Sequence, residues 1–221
     1  MTPRLYTYWR SSAAYRVRIA LNLKGVEWEQ APINLREGVH NGPDYGRLNR
    51  LNLVPLWVEN AGALTQSLAI IERLDELYPA PPLLPADPWA RAQARAAAYS
   101  IACDIHPVNN LRVQTYLKTH LGADQAAADA WARHWITLGF TALEETARAH
   151  GGPYLLGDQV TLADLCLVPQ MYNARRVDTD LAAFPTLQSI DLALTQLPAF
   201  RDAAPERQPD APTASNNAGG R

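Results

Sequence analysis

The chain has 221 residues, 48% of them hydrophobic and 19% charged, which places it among globular proteins long enough to bury a core as one large domain or two small ones. Its formal net charge of −2 gives no global attraction to nucleic acid or to an anionic membrane, so any anionic substrate must be met by local arginines. The opening MTPRLYTYWR lacks the apolar core of a secretory signal and no run approaches the roughly 20 apolar residues of a membrane span, so the reading is a cytoplasmic chain with no membrane or nucleic-acid partner.

Leu5 to Gly25 is the organising stretch: a short strand breaks at Arg10-Ser11-Ser12 and a helical pattern follows at once, with Ala13, Val17, Ala20 and Leu21 on one face and Lys24-Gly25 at its end. The serines stand at a helix N-terminus, where unpaired N–H groups and the positive end of the dipole receive anions; a plain N-cap is the alternative reading. Next come a strand at VEWEQAPI, an irregular stretch from Asn34 to Asn52, and PLWVE and ALTQ joined by Asn60-Ala61-Gly62 as a hairpin. The helix SLAIIERLDELY closes this part. Strand, helix, strand, hairpin, helix is a thioredoxin-like order, expected over residues 1–79.

Prolines 79, 81, 82, 85 and 88 make residues 80–88 a linker, and residues 89–221 read as an all-helical domain. Its first helix is predicted to run unbroken from Trp89 to Leu121 with a kink at Pro107, and its second from about Ala123 to His150. Thr161-x-x-Asp164 reads as a capping box opening a buried helix through Arg176, with no chemistry of its own. Shorter helices follow Pro185 and Pro198, and the tail from Ala204 reads as loose. Cys103 and Cys166 belong to no CxxC pair and read as buried free thiols. Cys103, Asp104 and His106 have no second ligand pair at a usable spacing, so no metal is expected.

RSSAAYRVRIALNLKG, LVP at 53–55, QSLAIIE at 66–72, CDIHPVNNLRV at 103–113 and GDQVTLADLCLVPQ at 157–170 occur in order over nearly the whole chain. Together they resemble the zeta class of glutathione transferases. The resemblance implies a thioredoxin-like domain followed by a helical bundle, an α/β plus all-α fold, assembled as a homodimer. It implies a cis Val54-Pro55 bond that presents the Val54 backbone to glutathione, with Asn52 where relatives commonly carry glutamine. Gln66 and Ser67 resemble the clamp for the γ-glutamyl carboxylate; Ser67 is also an N-cap candidate on sequence grounds. Ser11 and Ser12 then hold the glutathione sulfur, and Ala13 stands where the family often has cysteine, so the nucleophile comes from glutathione.

Further glutathione contacts are expected from His106 and Asn110, with His40 in the irregular loop as a third; mid-helix polar groups here also fit a buried network. Arg10, Arg112 and Arg176 are candidates for holding a dicarboxylate, because a guanidinium fork matches carboxylate geometry, and Arg10 is also a catalytic candidate beside the serines. Arg16 and Arg18 read as structural ion pairs or dimer contacts. The implied activity is glutathione-dependent cis–trans isomerisation of maleylacetoacetate to fumarylacetoacetate, a step of tyrosine and phenylalanine catabolism acting on a keto dicarboxylate. Alternatives are isomerisation of maleylpyruvate, a transferase of broader specificity, and a non-catalytic interaction module of the same fold.

Overall fold

β1 (Arg4–Thr7) sits between two partners: β2 (Glu29–Pro32) runs parallel to it, pairing Gln30 with Leu5, and β3 (Leu56–Glu59) runs antiparallel, pairing Trp57 with Leu5. β4 (Gly62–Thr65) closes a hairpin with β3 and gives the sheet order β2-β1-β3-β4. This computed structural model describes residues 1–212. Its contacts divide the chain into two units, Met1–Pro81 together with the segment from Pro198, and Pro82–Leu197.

In the first unit α1 (Ser12–Lys24) joins β1 to β2, as parallel pairing of sequential strands requires a crossover. Ala14, Val17, Ile19, Ala20 and Leu21 are fully buried, because α1 packs against both α3 (Ser67–Leu77) and the short α9 (Pro198–Asp202). Gly25 ends α1 in the left-handed region (φ 61°), with its N–H on Asn22 and that of Val26 on Leu21, so the last carbonyls are satisfied. Lys24 pairs with Asp75 at 2.6 Å.

The stretch from Asn34 to Asn52 is more regular than its sequence suggests: a 3-10 turn spans Val39–Asn41 and α2 spans Pro43–Leu48. Pro43 presets the first helical φ, and Tyr45 anchors the turn in a small core with Tyr8, Ile33, Val54 and Leu56. Helix α3 begins at Ser67 with Gln66 as its N-cap, so Ser67 is the first helical residue and not the cap.

The second unit opens with α4 (Pro88–Tyr99), capped by Asp87. The single long helix expected here is two: a π-helical turn at Ser100–Ile105 and a 3-10 turn at Pro107–Asn109 intervene before α5 (Leu111–His120). Pro107 cannot donate into the ladder, and extended Asn110 (φ −76°, ψ 170°) starts a new helix by accepting from the Val113 N–H at 3.2 Å. α6 (Gln125–His150) crosses this region at Gly139, where a Cβ would fall 2.2 Å from Ile105 Cδ1. α7 (Leu162–Arg176) is buried along most of its length, and α8 (Pro185–Gln196) packs on it. Its start carries the expected capping box: Asp164 accepts from the N–H groups of Thr161 (2.8 Å) and Leu155 (2.9 Å), and burial pushes its carboxyl up to about 6.

From Pro198 the chain groups with the first unit, not with the helices that precede it: Phe200 is fully buried and its carbonyl accepts from the Tyr15 hydroxyl at 3.3 Å. The tail read as loose from Ala204 is corrected for the described residues. A 3-10 turn spans Pro205–Arg207, and buried Gln208 donates to the carbonyls of Asp202 and Ala204. Residues 213–221 lie outside the described residues. Cys166 is buried as expected, but Cys103, within the π-helical turn, is exposed. No helix among the described residues is long and apolar enough to cross a membrane.

Candidate functional site

Sheet register decides where the candidate residues of the first unit lie. Tyr6 pairs with Leu56, Leu56 with Thr65, and Thr7 with Pro32. The ends of β1, β2 and β4 and the start of β3 therefore share one end of the sheet. From that end leave the Tyr8–Ser11 turn into α1, the segment carrying His40, and Gln66-Ser67 into α3; Val54-Pro55 arrives there.

Ser11 is the N-cap of α1, its Oγ accepting from the Ala14 N–H at 3.2 Å, and Ser12 is the first helical residue and buried. The N-cap reading of Ser11 thus holds without closing the other, because a hydroxyl that accepts at a lone pair still has its own O–H to donate. Neither α1 nor α3 carries an acidic residue in its first turn, so neither helix sets a carboxylate of its own first turn against the positive end of its dipole. The Arg10 guanidinium lies over the Trp9 ring, 5.5 Å from its centroid.

The Val54-Pro55 bond is cis. Leu53, just before it, is held through its carbonyl by the Tyr45 hydroxyl at 2.6 Å and the Asn49 amide at 2.7 Å. Asn52 adopts a positive φ (53°), and its amide, turned so that both ends are satisfied, donates to the carbonyls of His40 and Asn49 at 3.2 Å each. That amide is committed to the loop. His40 is half-buried with Nδ1 enclosed and unpartnered, and burial lowers its pKa, favouring the neutral ring.

Gln66 has a positive φ (72°), an uncommon conformation that aims the chain into α3. The Ser67 hydroxyl is buried and accepts from the Arg16 guanidinium at 3.3 Å. Arg16 is thus a buried cation behind the start of α3. Arg18 is equally buried, donating to Thr7 Oγ1 (3.1 Å) and to the carbonyls of Trp9 (2.9 Å) and Ala203 (3.1 Å). Sequence reasoning missed both as internal groups, because most arginines are solvated; their place on the buried stripe of α1 was the available signal.

The other candidates belong to the second unit. His106 precedes the 3-10 turn and Asn110 caps α5, so the cap accounts for that asparagine. The residue in the buried network is its neighbour Asn109, which the sequence did not single out. Asn109 donates to the Ile105 carbonyl at 2.7 Å, and its Oδ1 accepts from Asn173 at 2.9 Å, whose Oδ1 in turn accepts from Arg176 at 2.6 Å. A buried chain of amides therefore ends on the exposed Arg176 guanidinium, while adjacent Arg175 is taken up by Asp191. Arg112 is exposed on α5, apart from that chain of amides.

The family profile described as the glutathione S-transferase N-terminal domain matches residues 10–77, and the C-terminal domain profile matches residues 110–201. A probable maleylacetoacetate isomerase from Vibrio cholerae is 52% identical over 209 residues, 94% of this chain and 97% of that protein. The solved holo structure of maleyl pyruvate isomerase, a bacterial zeta-class glutathione S-transferase, superposes with a TM-score of 0.93 at 46% identity, covering 95% of this chain and 100% of that one. The chain belongs to the zeta class of the glutathione S-transferase family. A second structure, maleylacetoacetate isomerase from Methylobacterium extorquens AM1 with bound malonate and glutathione, matches this transferase with a TM-score of 0.92 at 39% identity, over 95% of this chain and 100% of that one. The mixed four-stranded sheet and the helical unit are the two parts of the transferase fold.

Proposed function

We propose that this transferase isomerises maleylacetoacetate to fumarylacetoacetate with glutathione as cofactor, as a step in tyrosine and phenylalanine catabolism. The carrying observation is the pair of acid-free helix N-termini, α1 and α3, that leave one end of the sheet on either side of the Val54 backbone. A tripeptide with a thiol at its centre, a carboxylate at its γ-glutamyl end and extended backbone amides fits that donor set. Val54 offers an N–H and a C=O as an added strand would use them. Ser67, the N–H groups of α3 and the buried Arg16 charge suit the γ-glutamyl carboxylate.

Glutathione, when bound, supplies a thiolate that adds to the activated double bond and leaves once the bond has rotated. Ser11 or Ser12 donates a hydroxyl hydrogen bond to the sulfur, and the start of α1 favours its negative form over the thiol. Arg176 holds a substrate carboxylate, with its guanidinium oriented by Asn173. Arg10 and the α1 N-terminus stabilise charge developing on the substrate oxygen conjugated to the double bond. His40, His106, Asn110 and Arg112 complete the contacts we assign to glutathione and substrate. The protein acts as a homodimer in the cytoplasm, and light scattering should return about twice the 24.4 kDa chain mass.

Maleylpyruvate is the second reading, because relatives named for either isomerisation stand at comparable identity. Both substrates carry the conjugated cis double bond and the carboxylate that the chemistry needs. Assay of each with and without glutathione tests the proposal: glutathione-dependent turnover with a higher kcat/KM for maleylacetoacetate is expected. Preference for maleylpyruvate would transfer the assignment, and turnover of neither would overturn it.

A further inference from the structure

The backbone that delivers Ser11 and Ser12 is held from a segment about two hundred residues away in sequence. The Trp9 N–H donates to Asp210 Oδ2 at 2.8 Å across a separation of 201 residues, and Gln30 on β2 donates to Asp210 Oδ1 at 3.0 Å. From the opposite side Arg18 donates to the Trp9 carbonyl at 2.9 Å and the Tyr8 carbonyl at 3.4 Å, and the Ser11 N–H closes the turn on Tyr8 at 3.0 Å. Arg18 also donates to Ala203, on the same distant segment as Asp210. That segment is itself pinned by Gln208 to Asp202 and Ala204.

Burial draws the Arg18 guanidinium down to about 10, with the charges of Tyr15 and Asp210 working against the fall. A buried cation and a carboxylate thus grip consecutive peptide groups of one turn, and the residue the turn leads into is the cap of α1. The Trp9 N–H and the Tyr8 carbonyl belong to one peptide group, so Asp210 and Arg18 hold the same plane at its two ends, and that plane sets the turn that leads to the serines.

We propose that Asp210 is a positioning residue for this turn: its carboxylate fixes the Trp9 peptide and so sets where Ser11 and Ser12 present their hydroxyls. The inference rests on the reading of those serines as holders of the glutathione sulfur. It assigns catalytic importance to a residue that touches neither cofactor nor substrate, in a stretch whose composition reads as a tail.

The test compares Asp210→Ala with Asp210→Asn, which keeps an oxygen acceptor for Trp9. Hydrogen exchange without glutathione should show the Trp9 amide exchanging about tenfold faster or more in the alanine variant, as expected for a lost bond to a charged acceptor. Kinetics should show kcat lowered about tenfold and the bound thiol's pKa raised, with KM for glutathione changed by less than about threefold because the α3 clamp is untouched. Asp210→Asn should recover most of kcat. Faster exchange with unchanged kcat and thiol pKa would overturn the proposal, as would an asparagine variant as impaired as alanine. Should Asp210→Ala fail to fold, Gln30→Ala, which releases only Oδ1, should shift both readouts in the same direction by a smaller amount, and no shift would overturn it. Failure of the underlying serine reading is separate: it appears in Ser11→Ala and Ser12→Ala with Asp210 intact.

Discussion

The start of α7 and the starts of α1 and α3 face the same physical problem and solve it in opposite ways. At α7 the chain answers its own orphan N–H groups: Thr161 and Asp164 form a reciprocal box, and the Asp164 carboxylate sits in the positive field of the helix end. At α1 the cap Ser11 accepts from the Ala14 N–H, and at α3 the cap Gln66 makes no side-chain capping bond. A helix end filled by its own carboxylate is architecture. Two ends without one in their own first turns, at the same end of the sheet, are where we place the anions of glutathione.

The largest effect should come from emptying the closed end. Asp164→Ala would leave the buried N–H groups of Leu155 and Thr161 without partners and cost about 3 kcal/mol or more in urea unfolding. The same carboxylate should carry a pH signature. Its folded pKa, about 6, lies above the ordinary 3.8, so its contribution to stability is fully present below about 4 and is lost as pH rises through about 6. Asp164→Asn should flatten stability across that window while keeping an acceptor oxygen, and an unchanged pH profile would count against the burial argument.

Next in size, Arg176→Ala should raise apparent KM for the dicarboxylate about tenfold or more, with the bound thiol's pKa unmoved. Asn173→Ala keeps the Arg176 charge but removes the amide that orients it, along with the bond to Asn109, so its KM should rise by about threefold in steady-state kinetics. A smaller change should convert the open type of helix end toward the closed type. Ala13→Asp places a carboxylate in the first turn of α1, and an added charge there is worth about 0.3–1 kcal/mol. Thermal stability should hold or rise slightly while the thiol's pKa climbs. If Ala13→Asp leaves the thiol alone, the field of α1 is not what the sulfur feels.

Much of this contrast is legible in the amino-acid sequence, and for a local reason. Caps, boxes and hairpin turns are written within a few residues, so β1, α1, the β3–β4 hairpin and the Thr161-Asp164 box follow from spacing, while α2 in the stretch from Asn34 to Asn52 does not. The break between α4 and α5 does not either, because the alanine-rich run favours helix on both sides of Pro107, while the π-helical turn, the 3-10 turn and the extended backbone at Asn110 that separate them leave no local pattern. Of two adjacent asparagines, the sequence favours Asn110, yet Asn109 faces inward to Asn173; one residue of rotation decides which is buried. Arg16, Arg18 and Asp210 are illegible in another way. Each bonds to partners on other elements, and a tail rich in proline and alanine gives no sign that Asp210 returns to Trp9.

Thiolate absorbance titration of bound glutathione, on the unaltered protein and on Ser11→Ala and Ser12→Ala, tests the central claim that an open helix end holds the sulfur as an anion. The bound thiol should have a pKa below that of free glutathione, raised toward the free value by one of the two serine changes, with tripeptide binding retained through α3. A bound thiol that titrates like free glutathione, or one that neither serine change moves, would contradict it.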